Sequence, residues 1–215
     1  MNKINLIKRI LILFFGIYLF GLALTFIIYC GLGMDAWNVF HDGLGKVFGL
    51  SLGYITILVS VVMMVVAMIF GEPLGIGTIV NGVFVGIFIQ MHMDLEIFTM
   101  QTNLLMGLLY LFIGTVLIGF ASYFYMKPGL GSGPRDSFNL ALSKRTGLKM
   151  GYAKSIVETI VVIIGMILGG SFGLATILGA IFTGIIVQGI FDLMKFNPKE
   201  IKHESLKDTF YSLIK

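Results

Sequence analysis

The acidic residue Glu158 has the clearest chemical potential in the sequence, because it lies inside an apolar segment. It follows Gly151, the start of that segment, by about two helical turns, or roughly 10 Å along a helix. A carboxylate at that depth is costly, and it usually faces a partner or a water-filled cavity. Lys154, one turn earlier, and Arg135 are two candidate partners. Two interpretations stay open: a structural ion pair, or an acid that carries protons or binds a substrate.

Further polar residues lie on two short segments that follow glycine-rich breaks. Ser132 and Pro134 indicate a helix start, since serine is a good N-cap and proline is tolerated in the first turn. This helix is predicted over 134–144, and a matching one over 35–46. Their polar residues near the N-termini are Arg135, Asp136, Asn139, Asp35 and Asn38. Such helices either rest at lipid headgroups or insert halfway and aim their N-termini at an anionic or polar substrate.

A stripe of small and polar residues occurs twice, at spacings of three and four that place it on one helix face. Its members are Thr78, Gly82, Gly86 and Gln90 in the first copy, and Thr176, Ala180, Gly184 and Gln188 in the second. Small residues let membrane helices approach closely, and Thr and Gln add hydrogen bonds. We expect the two helices to pack against each other through these stripes. The alternative is a polar permeation path that includes Gln90 and Gln188.

Motifs for catalysis, metals and nucleotides are absent from the sequence. His41, His92 and His203 are scattered without metal-ligand spacing. There is no P-loop, no G-x-S-x-G and no H-E-x-x-H motif. The single cysteine, Cys30, excludes an internal disulfide. We therefore expect no enzymatic activity, no cofactor, no metal and no nucleic-acid partner.

The elements that position these residues must be membrane helices. Only 12% of the 215 residues are charged and 57% are apolar, whereas soluble domains average about 25% charged residues. Six apolar segments are long enough to cross a bilayer: residues 10–30, 52–70, 74–91, 104–126, 151–168 and 172–191. The sequence predicts an all-α polytopic membrane protein with six transmembrane helices. The lipid bilayer is therefore an expected partner.

The chain contains two copies of one unit. Gly31-Leu32-Gly33 recurs as Gly129-Leu130-Gly131, and the same offset of 98 (129 − 31) relates many glycines and polar residues without a gap. The first repeat covers 1–98, the second 99–196, and a cytoplasmic tail 197–215. Because each repeat has three crossings, an odd number, we expect the second to be inverted, with connector helices at matching positions.

The distribution of basic residues predicts the orientation. Lys and Arg concentrate in the N-terminal tail, the second connector and the C-terminal tail, whereas the first connector and the inter-repeat linker carry Asp35, Asp42, Asp94 and Glu96. Lys and Arg mark cytoplasmic loops. Six crossings place all three basic segments on one side, so both termini should be cytoplasmic in the inner (plasma) membrane.

Several sequence stretches carry a family resemblance. They are GLGMDAW at 31–37, GLGSGPRD at 129–136, KRTGL at 144–148 and IVE at 156–158. With them the chain resembles the YczE/YitT-type bacterial multipass membrane proteins over nearly its whole length, except the tail after Asn197. The resemblance implies a bacterial inner-membrane protein of this architecture and no particular activity.

Three functions agree with these patterns. The first is a transporter or channel-like permeation protein for an unidentified small solute or ion, favoured by the inverted repeat and the intramembrane acid. The second is a membrane accessory or scaffold protein that supports a partner, and the third is the substrate-binding subunit of an uptake complex. A membrane-protein partner and a homo-oligomer are both compatible with the sequence. A water-accessible cavity lined by Glu158, Arg135, Gln90 and Gln188 would favour transport; a solid bundle would favour a scaffold.

Reporter fusions after Lys46 and after Lys144 test the inverted arrangement. We expect the two reporters on opposite membrane faces, because only the second connector carries an excess of Lys and Arg. Alkaline phosphatase activity marks the outer face and green fluorescence the inner face. Both fusions reporting the same face would contradict the inversion.

Overall fold

All regular secondary structure in the described residues is α-helical. The computed structural model describes residues 3–72, 74–147, 150–197, 201 and 203–209; within these, the side chains of 3–5, 140, 143–144 and 150–155 are not described. The helices are, in chain order, α1 (Lys3–Ile28), α2 (Ala36–Phe48), α3 (Leu52–Ile69), α4 (Ile76–Asp94), α5 (Leu104–Met126), α6 (Pro134–Thr146), α7 (Met150–Ile167) and α8 (Leu174–Leu193).

Five of these helices are long and apolar enough to cross a membrane. The candidate spans are Leu6–Ile28, Leu52–Ile69, Ile76–Asp94, Leu104–Met126 and Leu174–Leu193. Helix α7 has 18 residues, and its described apolar part, Ile156–Ile167, is shorter than a span. Helices α2 and α6 have 13 residues each, too few to cross the hydrocarbon core. They are the two predicted connector helices.

Helix α1 begins earlier than the sequence predicts, at Lys3 rather than near residue 10. The cation of Arg9 lies inside this helix and is satisfied by neighbours. Its Nη2 lies 2.7 Å from Glu204 Oε1, and its Nε donates to the carbonyl oxygen of Pro128 at 2.8 Å. Because these contacts compensate the charge, the helix continues through a residue that hydropathy alone would place outside the apolar segment.

The described part of the C-terminal tail packs on the helical domain. Glu204 donates its backbone N–H to Gly129 O, and Leu206 donates to Leu74 O, each at 2.8 Å. Residues 198–200, 202 and 210–215 lie outside the described residues. The tail thus contacts both the start of α4 and the loop before α6.

Helices α1 and α5 form the centre of the packing. A Cβ at Gly114 of α5 would lie 2.7 Å from Ile27 Cγ1 and 2.8 Å from Ala23 O, and the equivalent Gly16 of α1 faces the backbone of Tyr125. These glycines let the two backbones approach closely.

The stripe of α4 packs against α3. A Cβ at Gly86 would lie 2.6 Å from both Gly53 O and Ile57 Cγ1, and one at Gly82 would lie 3.2 Å from Ser60 Cβ. The two helices follow one another through a tight turn in which Gly71 has φ 92°. The close helix partner is therefore the sequence neighbour across that turn.

The matching stripe of α8 is left open by the described residues at Ala180 and Gly184. No described atom lies within 4 Å of a Cβ built at Gly184, and Ala180 is exposed. The expected contact of Gly82 and Gly86 with Ala180 and Gly184 is therefore wrong. Helix α7 does not cover this face, although α3, its equivalent in the first half, covers α4.

The threonines of the two stripes stabilise helix starts instead of joining α4 to α8. Thr78 Oγ1 accepts from Gly75 N at 3.3 Å, and Thr176 Oγ1 accepts from Gly173 N at 3.2 Å. Thr176 also donates to Met34 O at 2.5 Å, which attaches the start of α8 to the loop before α2. Both side chains thus satisfy backbone groups at helix N-termini.

The connector helices pack on the opposite halves of the chain: α2 on α7, and α6 on α3. In the loop after α7, Ser171 donates its backbone N–H (2.8 Å) and its hydroxyl group (2.7 Å) to the carboxylate of Asp42 in α2. Asp42 also forms an ion pair with Lys46 at 2.8 Å. Burial works to raise the pKa of Asp42, but the hydrogen bonds from Lys46 and Ser171 outweigh it and lower the pKa. Arg145 of α6 donates to Ile69 O and Phe70 O at the end of α3, at 3.3 Å each.

The two stripes predict opposite responses to the same substitution. Gly86→Leu should destabilise the protein by about 1–3 kcal/mol, because the new side chain must displace Gly53 and Ile57. Gly184→Leu should leave stability close to that of the wild type, because its face is open. Thermal unfolding in detergent measures both variants. Equal losses at the two positions would contradict the packing described here.

Candidate functional site

Arg135 is the centre of the candidate site. It is the second residue of α6, after Pro134 at the first helical position. Its guanidinium carbon lies 4.8 Å from the ring centroid of Trp37 in α2, a cation–π contact, and Trp37 is only 5% exposed. The repeat offset of 98 relates Trp37 to Arg135 (135 − 37). Two residues at equivalent positions of the two repeats are therefore in contact.

Three carboxylates stabilise the charge of Arg135. Asp35, Asp136 and Glu158 all attract it, and the Tyr125 hydroxyl group adds to the attraction. These residues come from four places: the start of α2, the start of α6, the middle of α7 and the end of α5. Because Arg135 is half-buried, it needs such partners to compensate for lost hydration.

Two of the carboxylates also have fixed local contacts. Asp35 caps α2 by accepting from Asn38 N at 3.3 Å. Asp136 Oδ2 accepts a hydrogen bond from the Tyr125 hydroxyl group. These contacts orient the two carboxylates at the helix N-termini that carry Trp37 and Arg135.

Glu158 is half-buried on α7 and belongs to the Arg135 cluster. Its predicted pairing with Arg135 agrees with this electrostatic attraction. The alternative pairing with Lys154 falls outside the described side chains. The repeat equivalent of Glu158 is Ser60, which is buried beside Gly82 of α4. The acid is thus a feature of the second half alone.

Two buried amides lie on the same connector helices. Asn38 is 0% exposed and Asn139 is 1% exposed. Among the described residues, neither side-chain polar atom of Asn38 nor Oδ1 of Asn139 has a hydrogen-bond partner. An unsatisfied buried group costs about 1–3 kcal/mol, so these atoms are groups that a solute or water would stabilise by binding.

His41 of α2 is a further buried polar residue, and the sequence pattern predicted no function for it. Its Nδ1 lies 3.0 Å from Thr56 Oγ1, and Thr56 donates its hydroxyl hydrogen to Leu52 O at 2.9 Å. A hydroxyl group has one hydrogen, so Nδ1 of His41 is the donor and Nε2 carries the lone pair. This Nε2 is buried and has no partner within the described part of the chain.

The surroundings of His41 favour the neutral form of its imidazole. Burial lowers its pKa well below the ordinary value, and the positive charge of Arg135 lowers it further. The sequence held a signal for this residue, because the repeat offset pairs His41 with Asn139 (139 − 41 = 98). Reasoning from metal-ligand spacing alone missed it.

The two predicted pathway glutamines bond within their own helices. Gln90 donates to Asp94 Oδ1 at 2.6 Å, and Gln188 donates to Asp192 Oδ1 at 2.8 Å. Gln90 also packs against the start of α3 at Gly53, and Gln188 is exposed. The contacts of these two side chains lie away from the Arg135 cluster.

A cavity of about 740 Å³ lies between α3 and α7, and its lining is entirely apolar. Trp37 contributes to its wall, but none of the four residues expected to line a water-filled path does so. In the residues that the structure describes, no group of three His, Cys, Asp or Glu side chains could hold a metal ion. The site therefore offers ionic and hydrogen-bonding groups beside an apolar cavity.

Comparisons with known proteins identify relatives. A family model described as "Family of unknown function (DUF6198)" matches residues 7–192. The chain is 31% identical to the "Uncharacterized membrane protein YczE" of Bacillus subtilis, over 86% of each chain. It is also 31% identical to an "Uncharacterized protein" of Haemophilus influenzae, over 84% of this chain and 82% of the relative. No solved structure matches. The resemblance to YczE-type membrane proteins is confirmed.

Arg135→Gln should destabilise the protein by clearly more than the roughly 1 kcal/mol of an exposed ion pair, because it leaves half-buried carboxylates without their cation. Adding Glu158→Gln should recover part of this loss, since it removes one of those negative charges. Arg145→Gln is the matched control: Arg145 also lies over an aromatic ring, 4.6 Å from the Phe70 centroid, but it is exposed and should cost less than about 1 kcal/mol. Thermal unfolding measures all three, and equal effects of the two arginine changes would contradict the cluster.

Proposed function

This chain belongs to the DUF6198 family of membrane proteins, and we propose that it is a transporter for a small solute, with its binding site around Arg135. The proposal includes six crossings, an inverted second repeat and both termini in the cytoplasm of a bacterium, with the protein in the inner membrane. The reaction is movement of the solute without covalent chemistry, so no enzymatic step and no cofactor belong to it.

One observation carries this proposal: two copies of the same unit pack in two different ways. In the first half α3 covers the Gly82–Gly86 face of α4, whereas in the second half the Ala180–Gly184 face of α8 is open. The two halves are copies of one unit, and the proposal is that each can adopt the packing of the other. In an inverted-repeat protein, exchanging the two packings exposes the same site to the opposite side of the membrane.

The packing of the connector helices supports the inverted arrangement. Helix α2 packs on α7, and its equivalent α6 packs on α3, the equivalent of α7. Trp37 and Arg135, which are equivalent positions, meet between them. Such reciprocal contacts are expected where two units are related by a pseudo-two-fold axis in the membrane plane.

The groups around Arg135 suit a small polar solute or ion. The cluster offers carboxylates and one guanidinium group. Asn38, Asn139 and the lone pair of His41 Nε2 provide buried groups without partners among the described residues. These groups lie on α2, α6 and α7, helices that contact both halves, so a change in their packing changes access to the site.

A second function is favoured by the open face of α8. Ile177, Ile181 and Ile185 are exposed beside Gly184. Small and branched apolar residues on one membrane helix suit docking of another helix. A scaffold protein, or the substrate-binding subunit of an uptake complex, would hold its membrane-protein partner or a second copy there.

Cysteine cross-linking separates the two functions. In the first half, a Cβ at Gly82 would lie 3.1 Å from Met64 Cε; the equivalent positions in the second half are Ala180 and Val162. With Cys30 replaced by serine, the pair Val162→Cys and Ala180→Cys should be linked within one chain in membranes by a short bifunctional thiol reagent, which joins thiols that do not meet disulfide geometry. The pair Met64→Cys and Gly82→Cys reports the packing seen here and serves as the positive control.

The transport proposal requires each cysteine pair to form a link within one chain, in the conformation that brings its two positions close together. It also requires that a preformed 162–180 link suppress a link between positions 64 and 82. Links at 180 that join two chains would favour the accessory function. A 64–82 link with none at 162–180 would refute the alternation.

A further inference from the structure

We propose that the acyl chain of a membrane lipid occupies the cleft between α3 and α7 and packs against Trp37. This inference goes beyond the transport proposal and does not depend on it. It concerns the apolar cavity of about 740 Å³, which the ionic groups of the candidate site do not line.

Four helices form the walls of the cleft. They are α2, α3, α6 and α7, and the lining includes Trp37, Val59, Met63, Phe138 and Ile160. All of these side chains are aliphatic or aromatic, or the thioether of Met63. A cavity with such a lining does not hold water, because water would find no hydrogen-bond partners.

The cleft opens outward at the level of a membrane-crossing helix. Leu58 and Val62 of α3 line it, and they are 53% and 59% exposed; Ile156 and Ile160 of α7 line the other side, at 46% and 51%. Helix α3 is a candidate span, so the hydrocarbon of the bilayer surrounds these residues. The medium in contact with the opening therefore consists of acyl chains.

The size of the cleft favours an acyl chain over a helix from a second copy. A helix with its side chains is about 10–12 Å across, so a volume of this size would hold less than about two turns. Such a short contact would leave most of a crossing helix outside the cleft. A flexible acyl chain can follow the cleft and fill it from the bilayer.

Trp37 connects the cleft to the ion cluster around Arg135. Trp37 lines the cleft, and Arg135 lies over its ring. An acyl chain in the cleft would hold the indole in place and keep water from reaching the guanidinium group by this route. The lipid would thus support the ion cluster from its apolar side.

Trp37 is the only tryptophan in the chain, so its fluorescence reports on the cleft. The purified protein is reconstituted into vesicles of dioleoyl phosphatidylcholine, or of the same lipid with bromine atoms on the acyl chains, which quench indole on contact. We expect a loss of fluorescence that grows with the fraction of brominated lipid, although Trp37 is only 5% exposed. No loss in the wild type would overturn the proposal, and no variant is needed for this result.

Filling the cleft tests where the quenching lipid lies. Val59→Phe and Ile160→Phe add volume inside the cleft and should reduce the quenching. Ile163→Phe adds the same side chain on α7, at a position that is exposed and does not line the cleft, and should leave it unchanged. Equal quenching in all three variants would overturn the site, as would dimers that cross-link through a cysteine at Ile160 and shield Trp37 from brominated lipid.

Discussion

The compensation of one half-buried cation connects most of this structure. Arg135 lies over Trp37 and is attracted by Asp35, Asp136 and Glu158. A guanidinium group removed from water needs such compensation, and no single helix supplies all of it. The requirement brings together the starts of α2 and α6 and the middle of α7. It therefore constrains how the connector helices of the two halves meet, whereas α1 and α5 form the centre of the packing between the halves.

The contact of Trp37 with Arg135 joins equivalent positions of the repeat, whereas the outer helices of the two halves pack differently. Trp37 and Arg135 are equivalent positions, and each connector helix packs on the other half. At the periphery, α3 covers α4 but α7 leaves α8 open. The transport proposal requires these two packings to have similar free energies, so that the halves can exchange them.

The polar and apolar parts of the site share one side chain. Trp37 has the guanidinium group of Arg135 over its ring and also lines the apolar cleft. An aromatic ring suits this position because it packs against hydrocarbon and attracts a cation to its face. A solute bound near Arg135 and the proposed acyl chain in the cleft would therefore act on the same side chain.

The sequence by itself determined the class of protein, the helices and most members of the polar cluster. Hydropathy located the five helices that are long and apolar enough to span, because each must present apolar side chains to lipid; the sixth predicted crossing, 151–168, stays a prediction. The internal repeat placed the connector helices with the polar residues Arg135, Asp136 and Asp35 near their starts, and hydropathy identified Glu158 as a costly acid. Tertiary structure alone decided which groups meet. The glycines at 82 and 86 predict close packing but not the partner, since any small-residue face can accept any helix, and the structure selects α3 instead of α8. Burial also depends on segments that are distant in sequence. The burial of His41 Nε2 and the cation–π contact of Trp37 are therefore visible only in the packed structure.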